Sequence, residues 1–161
     1  MKKATTKSLV ITGLIAALYV VCTLPFGQIA FGPIQFRIAE ILTLLPFLTP
    51  WAIPGVTIGC LLSNLLFSTP WDALFGTLAT LLAAYFTYRS KHLWVAALWP
   101  VLFNGLIIGT MLTFMIGTPD RLPWLTMVAE VTASELAVCY VLGIPFMRIL
   151  QKFNLQRMFK P

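Results

Sequence analysis

Long apolar segments alternate with short polar or proline-rich segments along the whole chain. The apolar segments predict helices over 8–24, 36 to between 46 and 50, 51–67, 69–88, 93–116 and 124–149. Pro25 and Gly27 end the first helix, Gly32 and Pro33 keep the next stretch irregular, and 117–123 form a polar turn. Because a helix needs about 20 apolar residues to cross the hydrocarbon of a bilayer, the pattern predicts six transmembrane helices.

Composition agrees with a protein whose surface faces lipid. Hydrophobic residues make up 59% of the 161 residues, and charged residues only 10%. Soluble domains carry roughly 25% charged residues, so this chain lacks the charge to cover a water-facing surface. We therefore predict an all-α integral membrane protein, with 1–161 forming one six-helix domain in the cell membrane.

The basic residues indicate how the chain is oriented. Nine of the eleven flank apolar segments on what becomes one side of the membrane: Lys2, Lys3, Lys7, Arg89, Lys91, Arg148, Lys152, Arg157 and Lys160. The positive-inside rule then places both termini in the cytoplasm. A basic stripe interleaved with aromatic residues would indicate nucleic-acid binding; the sequence has none, so nucleic acid is not predicted as a partner.

All five acidic residues fall in the outer half of the predicted membrane region or near its midplane. A carboxylate at mid-membrane costs at least about 2.5 kcal/mol, so it needs a partner, a wet cavity or a ligand. Glu130 and Glu135 lie five residues apart, or about 140° around a helix. We expect one of them to face a ligand while the other pairs with a neighbouring helix.

Other polar residues near the same level have two interpretations each. Arg37 and Glu40 would share a helix face, as an interfacial ion pair or as ligand contacts. Thr69 and Asp72 fit a helix cap with Pro70 between them, and Trp71 belongs to an aromatic belt or stacks on a flat ligand. Asn64 and Asn104 either form hydrogen bonds between helices or contact the ligand. The candidate substrate-binding set is Arg37, Glu40, Asn64, Trp71, Asp72, Asn104, Glu130 and Glu135.

This set favours a flat ligand that is cationic or rich in N–H donors. The single His92 and the scattered Cys22, Cys60 and Cys139 give no metal-ligand spacing. We therefore predict no metal, no cofactor and no catalytic residues. No phosphate-binding GxxxxGK[ST] stretch is present, so the chain cannot hydrolyse ATP by itself.

Small residues lie four apart on the first helix, at Gly13 and Ala17. Small residues allow two membrane helices to approach closely. They serve either packing within the chain or docking on another membrane subunit.

Five motifs together resemble the QueT family: IQFRIAE at 34–40, LP at 45–46, IPGVTIGCLLSN at 53–64, PWD at 70–72 and FGTLAT at 75–80. The family comprises substrate-binding (S) components of energy-coupling factor (ECF) transporters, assigned to queuosine precursors. The resemblance implies the S-component fold, a site near the outer face and a 7-deazaguanine ligand such as preQ1, preQ0 or queuine. It also implies a transmembrane coupling (T) subunit and two ATPase subunits as partners. S components often carry Ala-x-x-x-Ala on the first helix, where this chain has Gly13 and Ala17.

Three alternatives stay open. The nearest is an S component for another vitamin or heterocycle, since such folds share architecture but not pockets. Another is a proton-coupled carrier that uses Glu130 or Glu135. A membrane enzyme is the third, although the sequence shows no convincing catalytic cluster.

The predicted orientation can be tested by labelling single cysteines from outside the cell. In a background without the native cysteines, a probe at Asp120→Cys should be labelled and one at Lys91→Cys should not. The reverse pattern would overturn every depth assigned above.

Overall fold

The computed structural model describes residues 5–26, 36–116 and 121–154. It is all-helical over these residues, with α1 (Thr6–Thr23), α2 (Ile38–Phe47), α3 (Ala52–Phe67), α4 (Thr77–Arg89), α5 (Leu93–Ile116) and α6 (Arg121–Leu136). A π-helical segment, Asp72–Gly76, leads into α4; a second, Ala137–Gly143, joins α6 to α7 (Ile144–Lys152). The irregular stretch predicted after Gly27, the turn at 117–120, and the basic residues at 2, 3, 157 and 160 lie outside the described residues.

The described residues show the predicted all-α membrane protein with six helical segments. The count is six because α6, the π-helical segment Ala137–Gly143 and α7 form one continuous helix. Within the described ranges, three helices are long and apolar enough to cross a membrane: Thr6–Phe26, Leu93–Met115 and Trp124–Lys152. The predicted bounds hold to within a few residues.

The second helix departs from the α-helical form expected for it. It is a ten-residue 3₁₀-helix that contains Pro46, and at about 2.0 Å rise per residue it is roughly 20 Å long. That is too short to cross the bilayer core alone. It lies inside the bundle instead, with seven of its ten residues buried and contacts to α1, α3, α4, α5 and the π-helical segment 137–143.

Helix α1 packs closely against α3 through two glycines of α3. A Cβ atom at Gly55 would lie 2.9 Å from Ile15 Cβ, and one at Gly59 would lie 2.5 Å from Tyr19 Cβ. The two glycines form a small-xxx-small pair, which allows helix backbones to approach. This contact fixes Tyr19 in the interior, where it is 2% exposed.

A second glycine pair joins α5 to α6. A Cβ atom at Gly109 would lie 2.6 Å from Val128 Cα, and one at Gly105 would overlap the Thr132 hydroxyl. These two helix pairs make the most extensive interhelical contacts among the described residues. The second pair sets the distance between Asn104 on α5 and the facing part of α6.

The small residues singled out on α1 do not take part in this packing. Gly13 and Ala17 are exposed, and a Cβ atom at Gly13 would meet nothing within 4 Å. The same surface of α1 carries exposed Leu9, Leu14 and Leu18. Close packing within the chain is therefore the wrong interpretation for Gly13 and Ala17, because the glycines that perform it belong to α3.

The two kinds of glycine can be distinguished by substitution. Gly59→Leu should force α1 and α3 apart, an overpacking that costs about 1–3 kcal/mol and lowers the thermal unfolding temperature in detergent by about 5 °C. The matched Gly13→Leu should leave that temperature unchanged, since space surrounds Gly13. Equal shifts in the two variants would contradict this account of the packing.

Candidate functional site

Polar side chains from all six helical segments meet inside the apolar bundle. We call them the polar cluster; its members are Tyr19, Arg37, Glu40, Cys60, Asn64, Asp72, Thr80, Asn104, Glu135 and Cys139. Each member is at most 5% exposed. Six of the eight predicted substrate-binding residues belong to this cluster, although they come from distant parts of the chain.

Glu40 lies at the centre of the polar cluster, in the first turn of α2. The Tyr19 hydroxyl donates to Glu40 Oε1 at 2.5 Å, and the Thr80 hydroxyl donates to the same atom at 3.3 Å. Glu40 is fully buried, so these donors replace part of the hydration that the carboxylate loses. They also fix the direction in which its second oxygen points.

Arg37 forms its ion pair with Asp72, at 3.2 Å between NH2 and Oδ1. The expected alternative was a pair with Glu40, three residues along one helix face. That expectation required both residues to be helical, but Arg37 is the extended N-cap residue that precedes α2. Its guanidinium therefore reaches across the bundle to the start of the fourth helix.

Asp72 anchors the beginning of the fourth helix. Its backbone N–H donates to the Thr69 hydroxyl at 3.2 Å, as the predicted cap requires, and Ser68 Oγ donates to its Oδ2 at 2.5 Å. With Arg37 on its other oxygen, the Asp72 carboxylate is fully engaged by protein donors. Its role in this geometry is to hold Arg37 and the helix start in place.

Close approach at Gly76 brings two cluster members together. A Cβ atom at Gly76 would lie 2.9 Å from Asn64 Nδ2 and 3.3 Å from Arg37 NH1. Gly76 ends the π-helical segment Asp72–Gly76, and such segments recur at functional sites. Asn64 uses the space to donate to the backbone carbonyl of Asp72 at 2.8 Å.

The two glutamates of α6 point in different directions, as their spacing predicts. Glu135 is 2% exposed and accepts from Asn104 Nδ2 at 3.0 Å. Cys139 Sγ lies 3.7 Å from its other oxygen. Glu130 is exposed on the outside of α6, so the structure places it outside the polar cluster.

Hydrogen bonds and electrostatic interactions connect the polar cluster. Thr80 bridges Glu40 and Cys60, and Cys60 Sγ accepts from Asn64, which contacts Asp72. Glu135 interacts electrostatically with Glu40 and Arg37. A change at one side chain therefore affects the others.

Three buried oxygens of the polar cluster, Glu40 Oε2, Asn64 Oδ1 and Asn104 Oδ1, have no hydrogen-bond partner within the described ranges. We call them the acceptor triad. All three can only accept, and a buried polar atom without a partner costs about 1–3 kcal/mol. The hydroxyls of Thr49, Ser63 and Thr77 share this condition, but a hydroxyl can also donate. The acceptor triad is thus suited to a ligand that presents several N–H groups.

An apolar cavity of about 630 Å³ opens between the fourth and fifth helices. Trp71, Phe75, Ile107, Thr110, Met111 and Phe114 are among its lining residues. Trp71 is 53% exposed and stacks on Phe75 with 6.1 Å between ring centroids. Asn104, Ile107 and Met111 follow one face of α5, so the cavity begins roughly 5–10 Å along the helix from Asn104. Trp71 belongs to this cavity and not to the polar cluster.

Four members of the polar cluster were absent from the residues chosen by sequence: Tyr19, Thr80, Cys60 and Cys139. Hydroxyl and thiol groups are common in membrane helices, and nothing in their sequence spacing separates these four from the rest. One feature of the sequence could have singled out Tyr19: it is the only aromatic residue of α1. The cysteines act here as small buried groups beside carboxylates, and no described His, Cys, Asp or Glu residues form a group of three that could hold a metal.

The fold and the polar cluster together define an all-α membrane protein with a buried polar site, a class that includes membrane transporters. Residues 9–152 match the QueT transporter family, and the chain belongs to that family. One relative, the queuosine precursor transporter QueT of Lactococcus lactis subsp. cremoris, is 34% identical over 143 residues, covering 79% of this chain and 85% of that protein. No solved structure matches the chain. The QueT resemblance stated from the five motifs is confirmed.

Proposed function

We propose that this chain is the substrate-binding subunit of an ECF-type importer for a queuosine precursor of the 7-deazaguanine type. Family membership makes the chain a transporter, and we propose no catalytic role for it. The relative from Lactococcus lactis carries the queuosine precursor name. The observation that carries the proposal here is the acceptor triad, which is buried in the same polar cluster as Arg37.

The chemistry of a 7-deazaguanine complements the polar cluster. The ring presents N–H donors and an exocyclic amine along its edges, which the acceptor triad can receive. Its carbonyl oxygen is an acceptor, and Arg37 is the charged donor of the cluster. The aromatic and apolar residues of the cavity, with Trp71 at its exposed edge, offer a path for a flat ring.

The binding residues we propose are Arg37, Glu40, Asn64, Asn104 and Glu135. Asp72 holds Arg37 in position, and Trp71 serves the access route. Glu130 is left out because its side chain lies on the exposed side of α6.

Energy for uptake would come from partner subunits, since the sequence has no ATP-binding motif. The exposed surface around Gly13 and Ala17 supports docking of α1 on a coupling subunit, which would carry two ATPases. With both termini in the cytoplasm, the start of α4 faces outside, so the ligand would enter from the external medium.

A proton-coupled carrier is the second candidate. The observation that favours it is Glu135, a buried carboxylate of the polar cluster with one amide donor at 3.0 Å. Uptake by such a carrier would need a proton gradient and no ATPase subunit.

Removing the charge of Glu40 tests the proposed site. Glu40→Gln keeps the size of the side chain but presents N–H donors where the ligand also donates. Hydrogen bonds to a charged group contribute about 1.5–3 kcal/mol, so the affinity for the tightest of preQ1, preQ0 and queuine should fall at least about tenfold. Isothermal titration calorimetry on the purified protein measures this.

Asp72→Asn is the matched comparison for that experiment. It should lower the thermal unfolding temperature more than Glu40→Gln does and weaken binding less, because Asp72 contacts protein donors on both oxygens. Wild-type affinity in Glu40→Gln would remove Glu40 from the site.

Docking through α1 predicts a separation of uptake from binding. Gly13→Leu combined with Ala17→Leu should abolish uptake in cells that express the coupling and ATPase subunits, because bulky side chains keep helices apart. The same variant should bind ligand in detergent like wild type, since neither residue contacts the polar cluster. Undiminished uptake would refute docking at this surface.

A further inference from the structure

The buried charges of the polar cluster do not balance. The buried charged side chains in the described part of the chain are Arg37, Glu40, Asp72 and Glu135. Counted at the charges that these groups carry in water, one positive and three negative groups leave an excess of two negative charges. Arg37 and Asp72 form an ion pair, so the excess resides on Glu40 and Glu135.

The other basic residues whose side chains the structure describes do not offset this excess. Lys7, Arg89, Lys91, Arg148 and Lys152 are all exposed, at the ends of helices or in the loop between α4 and α5. Charges in a membrane interior normally pair with one another or line a water-filled path. Uncompensated buried carboxylates therefore favour a ligand that brings positive charge.

The two glutamates differ in how well protein donors satisfy them. Glu40 Oε1 accepts from both Tyr19 and Thr80, and its Oε2 belongs to the acceptor triad beside neutral amide oxygens. Within the described residues, Glu135 accepts from the Asn104 amide on Oε1 and from the Cys139 thiol, at 3.7 Å, on Oε2, and a thiol is a weak donor. Glu135 thus lacks the two hydroxyl donors that stabilise the charge of Glu40, and a ligand cation can take their place.

Resting on the proposed function, we propose that the site selects the positively charged 7-aminomethyl form of the deazaguanine over the neutral 7-cyano form, and that Glu135 is the residue that recognises the charge. The shared ring supplies the N–H groups for the acceptor triad in both compounds. The ammonium group alone adds a charge-assisted hydrogen bond to a carboxylate, which is stronger than a neutral one. Glu135 is therefore a specificity-determining residue, and Glu40 binds the deazaguanine ring that both compounds share.

The matched pair of compounds isolates the effect of charge. The purified full chain is titrated by calorimetry at neutral pH with 7-aminomethyl-7-deazaguanine and with 7-cyano-7-deazaguanine. Wild type should bind the aminomethyl compound at least about tenfold more tightly, as expected for one charge-assisted bond. In Glu135→Gln this ratio should fall below about threefold, because the aminomethyl compound loses its charge-assisted bond.

Glu130→Gln is the control, because it makes the same chemical change on the exposed side of the same helix. It should keep the wild-type ratio. Binding of the cyano compound by Glu135→Gln shows that this variant is folded. If that variant binds neither compound, Glu135→Asp, which keeps the charge, should retain the preference for the aminomethyl compound.

The outcomes separate this inference from the proposed function. Equal affinities in wild type, or tighter binding of the cyano compound, would overturn charge selection while leaving deazaguanine binding intact. A full preference retained in Glu135→Gln, or no preference in Glu135→Asp, would overturn the role of Glu135. If wild type binds neither compound nor queuine, the proposed function itself fails.

Discussion

The constraint on which this structure depends is the burial of three carboxylates and one guanidinium in an apolar bundle. Neither lipid nor hydrocarbon side chains can solvate them, so each must find donors or an opposite charge inside the protein. Asp72 and Arg37 form an ion pair, and Asp72 also accepts a hydrogen bond from the Ser68 hydroxyl. Glu40 relies on Tyr19 and Thr80, and Glu135 on Asn104. Among the described residues, these requirements are met in the polar cluster.

Close helix packing brings these donors within reach. Tyr19 reaches Glu40 because Gly59 lets α1 approach α3, and Asn104 reaches Glu135 because Gly105 and Gly109 let α5 approach α6. The short helix α2 contributes by lying inside the bundle, where its first turn holds Glu40 away from lipid. Packing and polar chemistry are therefore interdependent: a larger residue at one of these glycines would move a donor as well as a backbone.

Helix α1 has one face in the interior of the bundle and another on its exposed surface. Tyr19 points inward to Glu40, whereas Gly13 and Ala17 lie on the exposed side. If α1 docks on a partner through Gly13 and Ala17, as we propose, this one helix would link the polar cluster to that partner. This division follows from the helical period, since residues two and six positions before Tyr19 project toward other sides of α1.

The amino-acid sequence by itself determined the all-helical membrane class, the helix bounds and the family, because apolar runs of bilayer length and local caps such as Thr69 depend on neighbours in the chain. It also determined that Glu130 and Glu135 point apart, since helical period alone settles that. Only the tertiary structure decided that Arg37 pairs with Asp72 and not with Glu40. It also decided that Tyr19, Thr80, Cys60 and Cys139 belong to the polar cluster. These contacts join residues up to 40 positions apart, and spacing along the chain carries no information about such distances. The same reason explains why Gly55 and Gly59, and not Gly13, pack the interior: which side of a helix meets a neighbour is decided by the whole bundle.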